Sequence, residues 1–396
     1  MERIYIYSQK NGWLNKEGLF LFDKPIYKLV YKNNITYLNG KKLKTNPLNL
    51  IEKLIKKTGL YGLGYISYDF GKEQVIGKFY PQKDDLELPQ IYLLFFKNYR
   101  KIQKIDKFPK SKISKIKFNT SESQFINIVN KAKKYIEEGD IYQVNLSHRL
   151  DLEGEFYPEG IFSNLINLQK TPFLMYINGI DFSVISASME LFLKKEKDKI
   201  TTKPIKGTRK RGKTEEEDKR LAEELINSEK EIAENLMITD LMRNDLGRIA
   251  VKGGVKTTSL FKVEKYETLY QLVSTVEAKI KNKSFKEIIQ NTFPPGSITG
   301  APKKRAMEII AELEELKRGI YCGATVLIKP NMDFVMSVAI RQTIFKNHKA
   351  YIHVGAGITS GSNPKEEFFE TLIKAKANIK SIDPNFNFDN YLTYTG

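Results

Sequence analysis

Lys206 lies in Thr202-Lys203-Pro204-Ile205-Lys206-Gly207-Thr208, between an apolar residue and a glycine in what reads as a turn. An ordinary lysine has a pKa of about 10.4, so its amine is a useful nucleophile near pH 7 only where burial or neighbouring cations lower that value. Lys203, Arg209, Lys210 and Arg211 place cations within a few residues of it, and a partly desolvated pocket would complete the activation. On its own, a lysine in a basic, glycine-containing stretch is a solvated loop charge. The reading therefore depends on what else the chain brings.

Carboxylates on helical spacing are the second resource. Ser228 and Glu231 have the spacing of a capping box, and the helix that follows puts Glu234 on the side of Ile238 and Leu241. A buried carboxylate must be paired, protonated or bound to a cation, and the plain alternative is a boundary residue meeting Arg243. Glu367, Glu370 and Lys374 recur at i, i+3 and i+7, so one helical face carries two carboxylates and an ammonium. Such oxygen donors suit Mg²⁺, which usually keeps water and substrate oxygens beside one or two protein carboxylates. The plain alternative is a solvated Glu to Lys pair. Gly355 and Gly357 follow a strand and could offer backbone N–H groups to a carboxylate. The small-residue loop from Pro295 to Lys303, with Ser297 and Thr299 in it, opens a helix whose N-terminus could hold an anion; it lacks the Walker A spacing.

These residues need a large scaffold. The chain has 396 residues, 41% of them hydrophobic, which fits one large intertwined domain or two medium ones. No run of about 18 uncharged apolar residues occurs, and charges fall within residues 1–7, so a cytoplasmic protein without a membrane segment is expected. The single cysteine, Cys322, excludes an intramolecular disulfide and a Cys-based zinc site, and three histidines argue against a His-rich metal centre. The net charge of +18 suits nucleic acid, but the lysines are dispersed and interleaved with glutamates. No nucleic-acid partner is expected, although a positive field would steer a small dianion.

Residues 1–110 read as a β-rich N-terminal subdomain, with strands at 3–7, 18–22, 27–31 and 91–96 and a helix at 47–57. Residues 101–117 read as an exposed connection. The remainder, 111–396, reads as a catalytic region intertwined with the first into one unit. Helices are expected at 121–138, 157–168, 215–227, 228–244, 284–291, 302–316 and 364–379. Strands are expected at 141–150, 173–177, 182–186, 255–260, 322–328, 336–345 and 350–354. Strands that come in adjacent pairs favour antiparallel hairpins and an α+β fold over a doubly wound parallel sheet.

Longer motifs join these pieces. TKPIKGTRKRG, SEKEIAENLMITDLMRNDLGRI, FPPGSITGAPKKRAMEII, RGIYCGA, VAIR and GAGITSGSNPKEEFFETLIKAKA occur in the order and spacing of the chorismate-utilising enzymes, with GYISYDFG and GDIYQVNLS upstream. The chain resembles that family from about residue 60 onward. It is most similar to the branch that makes 4-amino-4-deoxychorismate, because PIKGT carries Lys206 where anthranilate synthases have PIAGT.

The resemblance implies an α+β fold of two large antiparallel sheets in a sandwich flanked by helices, with the site in a cleft between them. It implies Mg²⁺ held through Glu234 and Glu370, with Glu367 close by. Lys206 would add to carbon 2 of chorismate while Glu190 protonates the hydroxyl leaving carbon 4, and ammonia would then displace the lysine. The side-chain carboxylate would meet Tyr321, Arg341 and Lys374, assisted by N–H groups near Gly355 and Gly357. Gln271 stands where many relatives have a histidine associated with pyruvate elimination, which fits a product that keeps its enolpyruvyl group. Val326 and Leu327 replace a common Gly-Tyr pair, and Met189 replaces the proline before Glu190. No LLES-type segment of tryptophan-inhibited relatives is present, so no tryptophan feedback is expected. No Gly-x-Cys-x-Gly nucleophile occurs, so a separate glutamine amidotransferase subunit is expected to supply ammonia and a separate lyase to complete 4-aminobenzoate for folate. The alternatives are anthranilate synthase, isochorismate synthase or a catalytically dead basic binding paralogue.

Overall fold

Strands that are buried on both faces read as continuous apolar runs, and the run Ile91–Phe96 shows why. Its even residues Tyr92, Leu94 and Phe96 join one hydrophobic cluster, whereas Ile91, Leu93 and Phe95 join another. The period-2 alternation of a strand thus feeds two cores at once. The computed structural model describes residues 1–392 apart from 11, 78–81, 169–170 and 267–268.

Two antiparallel sheets result, one of 10 strands and one of 12. Ile4, Ile6, Phe20 and Phe22 of the smaller sheet meet Leu63, Tyr65, Leu94 and Phe96 of the larger in the inter-sheet cluster. On the outer face of the smaller sheet, Tyr5 stacks on Tyr176 and leans on Phe162 of the covering helix Pro158–Leu168. The strands of residues 1–110 are divided between both sheets, as Arg3–Ser8 and Gly18–Asp23 in the smaller and Tyr61–Ile66 and Ile91–Phe96 in the larger.

The helices begin where the sequence offers caps. Ser121 starts Glu122–Glu137 with a full capping box to Gln124, and Ser284 does the same for Phe285–Thr292 with Glu287. Ser228 caps Glu229–Gly247 by accepting from the Glu231 N–H as expected, but only half of the box forms, because the Glu231 carboxylate turns to Arg209 at 3.2 Å.

Three local expectations are corrected, and one helix was not expected. The 101–117 stretch is not an open connection, because Arg100–Ile102 and Lys112–Phe118 are strands, the second laid along Gln143–Glu155. The expected strand at 336–345 is two, Phe334–Val338 and Gln342–Lys346, in different sheets, with Arg341 at φ 52° where the chain crosses. The Lys206 segment is not a turn but two strands, Lys199–Lys203 and Ile205–Lys210, broken at Pro204. A helix at Tyr68–Ile76 went unforeseen; Ser67 caps it. No helix among the described residues is long and apolar enough to cross a membrane.

Candidate active site

The Ile205–Lys210 strand bonds to Leu269–Ile280, which sets Lys206 on the larger sheet near its edge. Facing it across the cleft is Lys349–Ile358 of the smaller sheet, paired with Gln143–Glu155 so that Gly357 lies opposite Asn145 and Gly355 opposite Ser147. The two glycines leave room at this point. A Cβ on Gly357 would come within 2.4 Å of Gln143 Nε2 and 3.3 Å of Lys206 Nζ, and one on Gly355 within 2.8 Å of the Tyr321 hydroxyl. Side chains from both sheets therefore converge on the backbone of one strand.

Gly207 explains how the lysine segment lies so close to the Glu229–Gly247 helix. Its φ is 82°, and a Cβ there would fall 2.9 Å from Glu231 Oε2. That close approach brings Glu234 Oε2 to 4.0 Å from Lys206 Nζ, with both side chains largely buried. Burial raises the Glu234 carboxyl above its ordinary range, and the Lys206 charge pulls it back. Arg243 is not the partner of Glu234; it pairs with Asp240 on the exposed side. Three of the four cations expected around Lys206 are engaged elsewhere, Lys203 with Glu264 at 2.9 Å, Arg209 with Glu231, and Arg211 with Asp218 at 2.6 Å.

The Pro364–Ile382 helix supplies the opposite wall. Glu370 and Lys374 form an ion pair at 2.6 Å, and Lys374 Nζ also donates to the Gly355 carbonyl at 3.0 Å. Burial pushes the Glu370 carboxyl up, but Lys374, with Lys230 and Lys206 farther off, outweighs it and the net direction is down. Glu367 accepts from Ser362 Oγ at 2.6 Å, and burial leaves it above its ordinary value. Glu234 and Glu370 are within electrostatic reach of one another and each is balanced by a lysine. No group of three acidic, histidine or cysteine side chains among the described residues converges as a ready-made metal cage.

Glu190 precedes the Leu191–Glu196 strand and is 5% exposed. Burial pushes its carboxyl up to about 7, against a hydrogen bond from Ser297 and the charge of Lys206. Ser297 thus touches the candidate acid. Thr299 does not offer its hydroxyl to the cleft, since it donates to the Pro295 carbonyl at 2.7 Å. The loop does open a helix, Lys303–Leu313 with Pro302 at its N-cap, but first passes through a buried 3₁₀ turn, Gly296–Ile298, and a short strand, Gly300–Ala301, on Gln143–Glu155. Gln271 donates to Met189 Sδ at 3.8 Å, and its buried Oε1 has no hydrogen-bond partner.

Tyr321 is stacked on His353 with ring centroids 5.4 Å apart, and burial raises its hydroxyl well above the usual value. Arg341 donates to the Lys374 carbonyl at 3.0 Å; burial holds its guanidinium below its usual value while Tyr321 and Glu370 pull it back. Val326 and Leu327 lie in the Ala324–Ile328 strand and face the two hydrophobic cores, one each. Two further residues belong to the site although the spacing of chemical side chains did not single them out. Gln143 Oε1 is buried without a hydrogen-bond partner, and Asn145 Nδ2, buried beside the Tyr321 hydroxyl, makes no well-aligned hydrogen bond. They alternate on the strand that pairs with Gly355 and Gly357, and that shared face is the signal that would have found them.

A family model described as chorismate binding enzyme matches residues 2–380. Over 268 residues the chain is 42% identical to "Anthranilate synthase component 1" of Aquifex aeolicus, covering 67% of this chain and 54% of that protein. Over 264 residues it is 40% identical to "Aminodeoxychorismate synthase component 1" of Bacillus subtilis, covering 66% and 56%. The match spans about half the length of these curated relatives. The crystal structure of anthranilate synthase component I from Streptococcus pneumoniae superposes with a TM-score of 0.83 at 28% identity, over 91% of each chain. With its two flanked antiparallel sheets and this cleft, the chain belongs to the chorismate binding enzyme family.

Proposed function

We propose that the chain aminates chorismate to 4-amino-4-deoxychorismate, with ammonia delivered by a glutamine amidotransferase partner. The observation that carries this reading is Lys206 Nζ at 4.0 Å from Glu234, beside the open backbone of Gly357. A lysine so placed is a candidate nucleophile for carbon 2, held in the cleft by strand and carboxylate. Glu190, kept protonated near neutrality by burial, is the candidate donor to the leaving hydroxyl. Arg341, Lys374 and Tyr321 would orient the side-chain carboxylate. Glu234 and Glu370, with Glu367 behind, would hold Mg²⁺, which would supply a fixed positive charge for the ring carboxylate. Gln271 cannot serve as a general base at neutral pH, which favours a product that retains its enolpyruvyl group.

A second reading, anthranilate synthesis, is favoured by the names of several relatives about 40% identical to this chain. Product analysis separates the two. Purified chain, chorismate, Mg²⁺ and ammonium salt should give aminodeoxychorismate by chromatography and mass spectrometry. Lys206→Ala should abolish turnover, and without ammonia the wild type should accumulate a covalent lysine adduct. Chelation with EDTA should stop the reaction. Anthranilate as the product would replace the first reading with the second.

A further inference from the structure

A polar cavity of about 280 Å³ lies apart from Lys206, between the 32–34 hairpin turn, the start of the Tyr68–Ile76 helix, the 84–90 segment and the 317–319 loop. Its charged walls are unequally partnered. Asp84 is bound to Lys317 at 3.2 Å, Asp85 to Arg149 at 2.6 Å, and Arg318 to Glu314 at 2.6 Å, while Lys32 faces Glu87 at 3.7 Å. Asp69 is paired with Lys72 at 3.4 Å, which leaves Glu73, one helical turn on along the same face, without a cation among the described residues.

Asp69 is 5% exposed and its Oδ2 accepts from the Gly319 N–H at 2.8 Å. Its Oδ1 accepts no hydrogen bond. The nearest ammonium, Lys72, stands 3.4 Å from that oxygen and donates to Gln82 Oε1 at 2.7 Å. Gln90 Oε1, on the same cavity wall, is also buried without a donor. Glu73 makes no hydrogen bond or ion pair among the described residues. Buried acceptors left without donors are unfavourable, so a cavity lined by them selects a ligand that donates. The surplus charge is negative, and no three metal-ligating side chains converge here.

We propose that this cavity binds a small primary-ammonium compound, its three N–H protons directed to Asp69 Oδ1, Gln90 Oε1 and Glu73. The Gly319 N–H bond to Asp69 ties the ligand to the loop that carries Arg318 and Tyr321. Resting on the reading of Tyr321 as a substrate contact, occupancy also shifts chorismate affinity.

Equilibrium dialysis of the full chain against radiolabelled methylammonium tests the site without any turnover, so it stands or falls independently of the amination reading. One equivalent should bind per chain, and Glu73→Gln, at a half-exposed position that leaves the core intact, should weaken binding at least tenfold. Ethylammonium should compete and tetramethylammonium, which has no N–H, should not. Substoichiometric binding, unchanged affinity in Glu73→Gln, or equal competition by tetramethylammonium would overturn the proposal. Asp69→Asn, which can still accept from Gly319, provides a second variant with the same expected loss.

Discussion

Glu190 lets one side chain be read by stability and by chemistry together. Its carboxyl is raised from an ordinary 4.5 to about 7, with burial the largest cause. For an acid whose folded pKa lies above its unfolded one, the native state holds the proton more tightly. Below pH 4.5 both states are protonated and the group has no differential effect. Between 4.5 and about 7 the unfolded chain ionises while the native chain does not, so stability falls as pH rises. Above 7 both are ionised and the native state bears the full penalty. At about 1.4 kcal/mol per pH unit, that gap is worth roughly 3 kcal/mol. Glu190→Gln has the same shape, remains neutral and can keep a hydrogen bond to Ser297. Urea unfolding of both proteins from pH 4.5 to 8.5 should therefore show wild-type stability dropping relative to the variant by roughly 3 kcal/mol up to pH 7, then running parallel. A difference that stays flat across this window would refute the buried-acid assignment. Turnover adds an independent reading: the variant should lose about 10²–10⁴-fold in kcat, and its residual rate should lack the alkaline decline near pH 7 that the wild type shows.

Other expectations follow from the same geometry. Gly357→Ala would drive a methyl into Gln143 and against Lys206; turnover should fall at least tenfold with the melting temperature nearly unchanged, and full activity would show that the cleft does not close on this strand. Glu314→Gln removes the carboxylate from Arg318, both nearly fully buried, and should cost about 3–5 kcal/mol in urea unfolding; less than 1 kcal/mol would mean that the Tyr68 and Tyr321 rings suffice to hold the guanidinium. Burial pushes the His148 imidazole down to about 3. Its neutral form is stabilising above pH 6.5 and that advantage is lost as pH falls toward 3, so His148→Phe, which fits among Phe118, Phe125 and Phe368, should gain on the wild type as acid is added. Parallel acid unfolding curves for the two would contradict this.

What the sequence revealed and what it hid divide along the range of the interactions. Helix starts are written within a few residues, so Ser121 with Gln124 and Ser284 with Glu287 mark boundaries that the structure reproduces. The antiparallel α+β class was legible because adjacent strand pairs declare hairpins. Lys206 misled locally: Pro204 and Gly207 look like turn residues, yet Pro204 only interrupts an edge-proximal strand and Gly207 admits the Glu231 carboxylate from a helix more than twenty residues away. The same distance effect removed Lys203, Arg209 and Arg211 as activating cations, because each found a carboxylate that no window around Lys206 contains. Gln143 and Asn145 were present in a quoted motif but carried no charge to draw notice. Their importance comes from an unfilled hydrogen-bonding capacity opposite two glycines, a property of register and not of spacing. Charge patterns in this chain therefore locate the carboxylate and lysine faces, while the neutral donors and acceptors that would set a substrate's orientation become visible only when the two strands are paired.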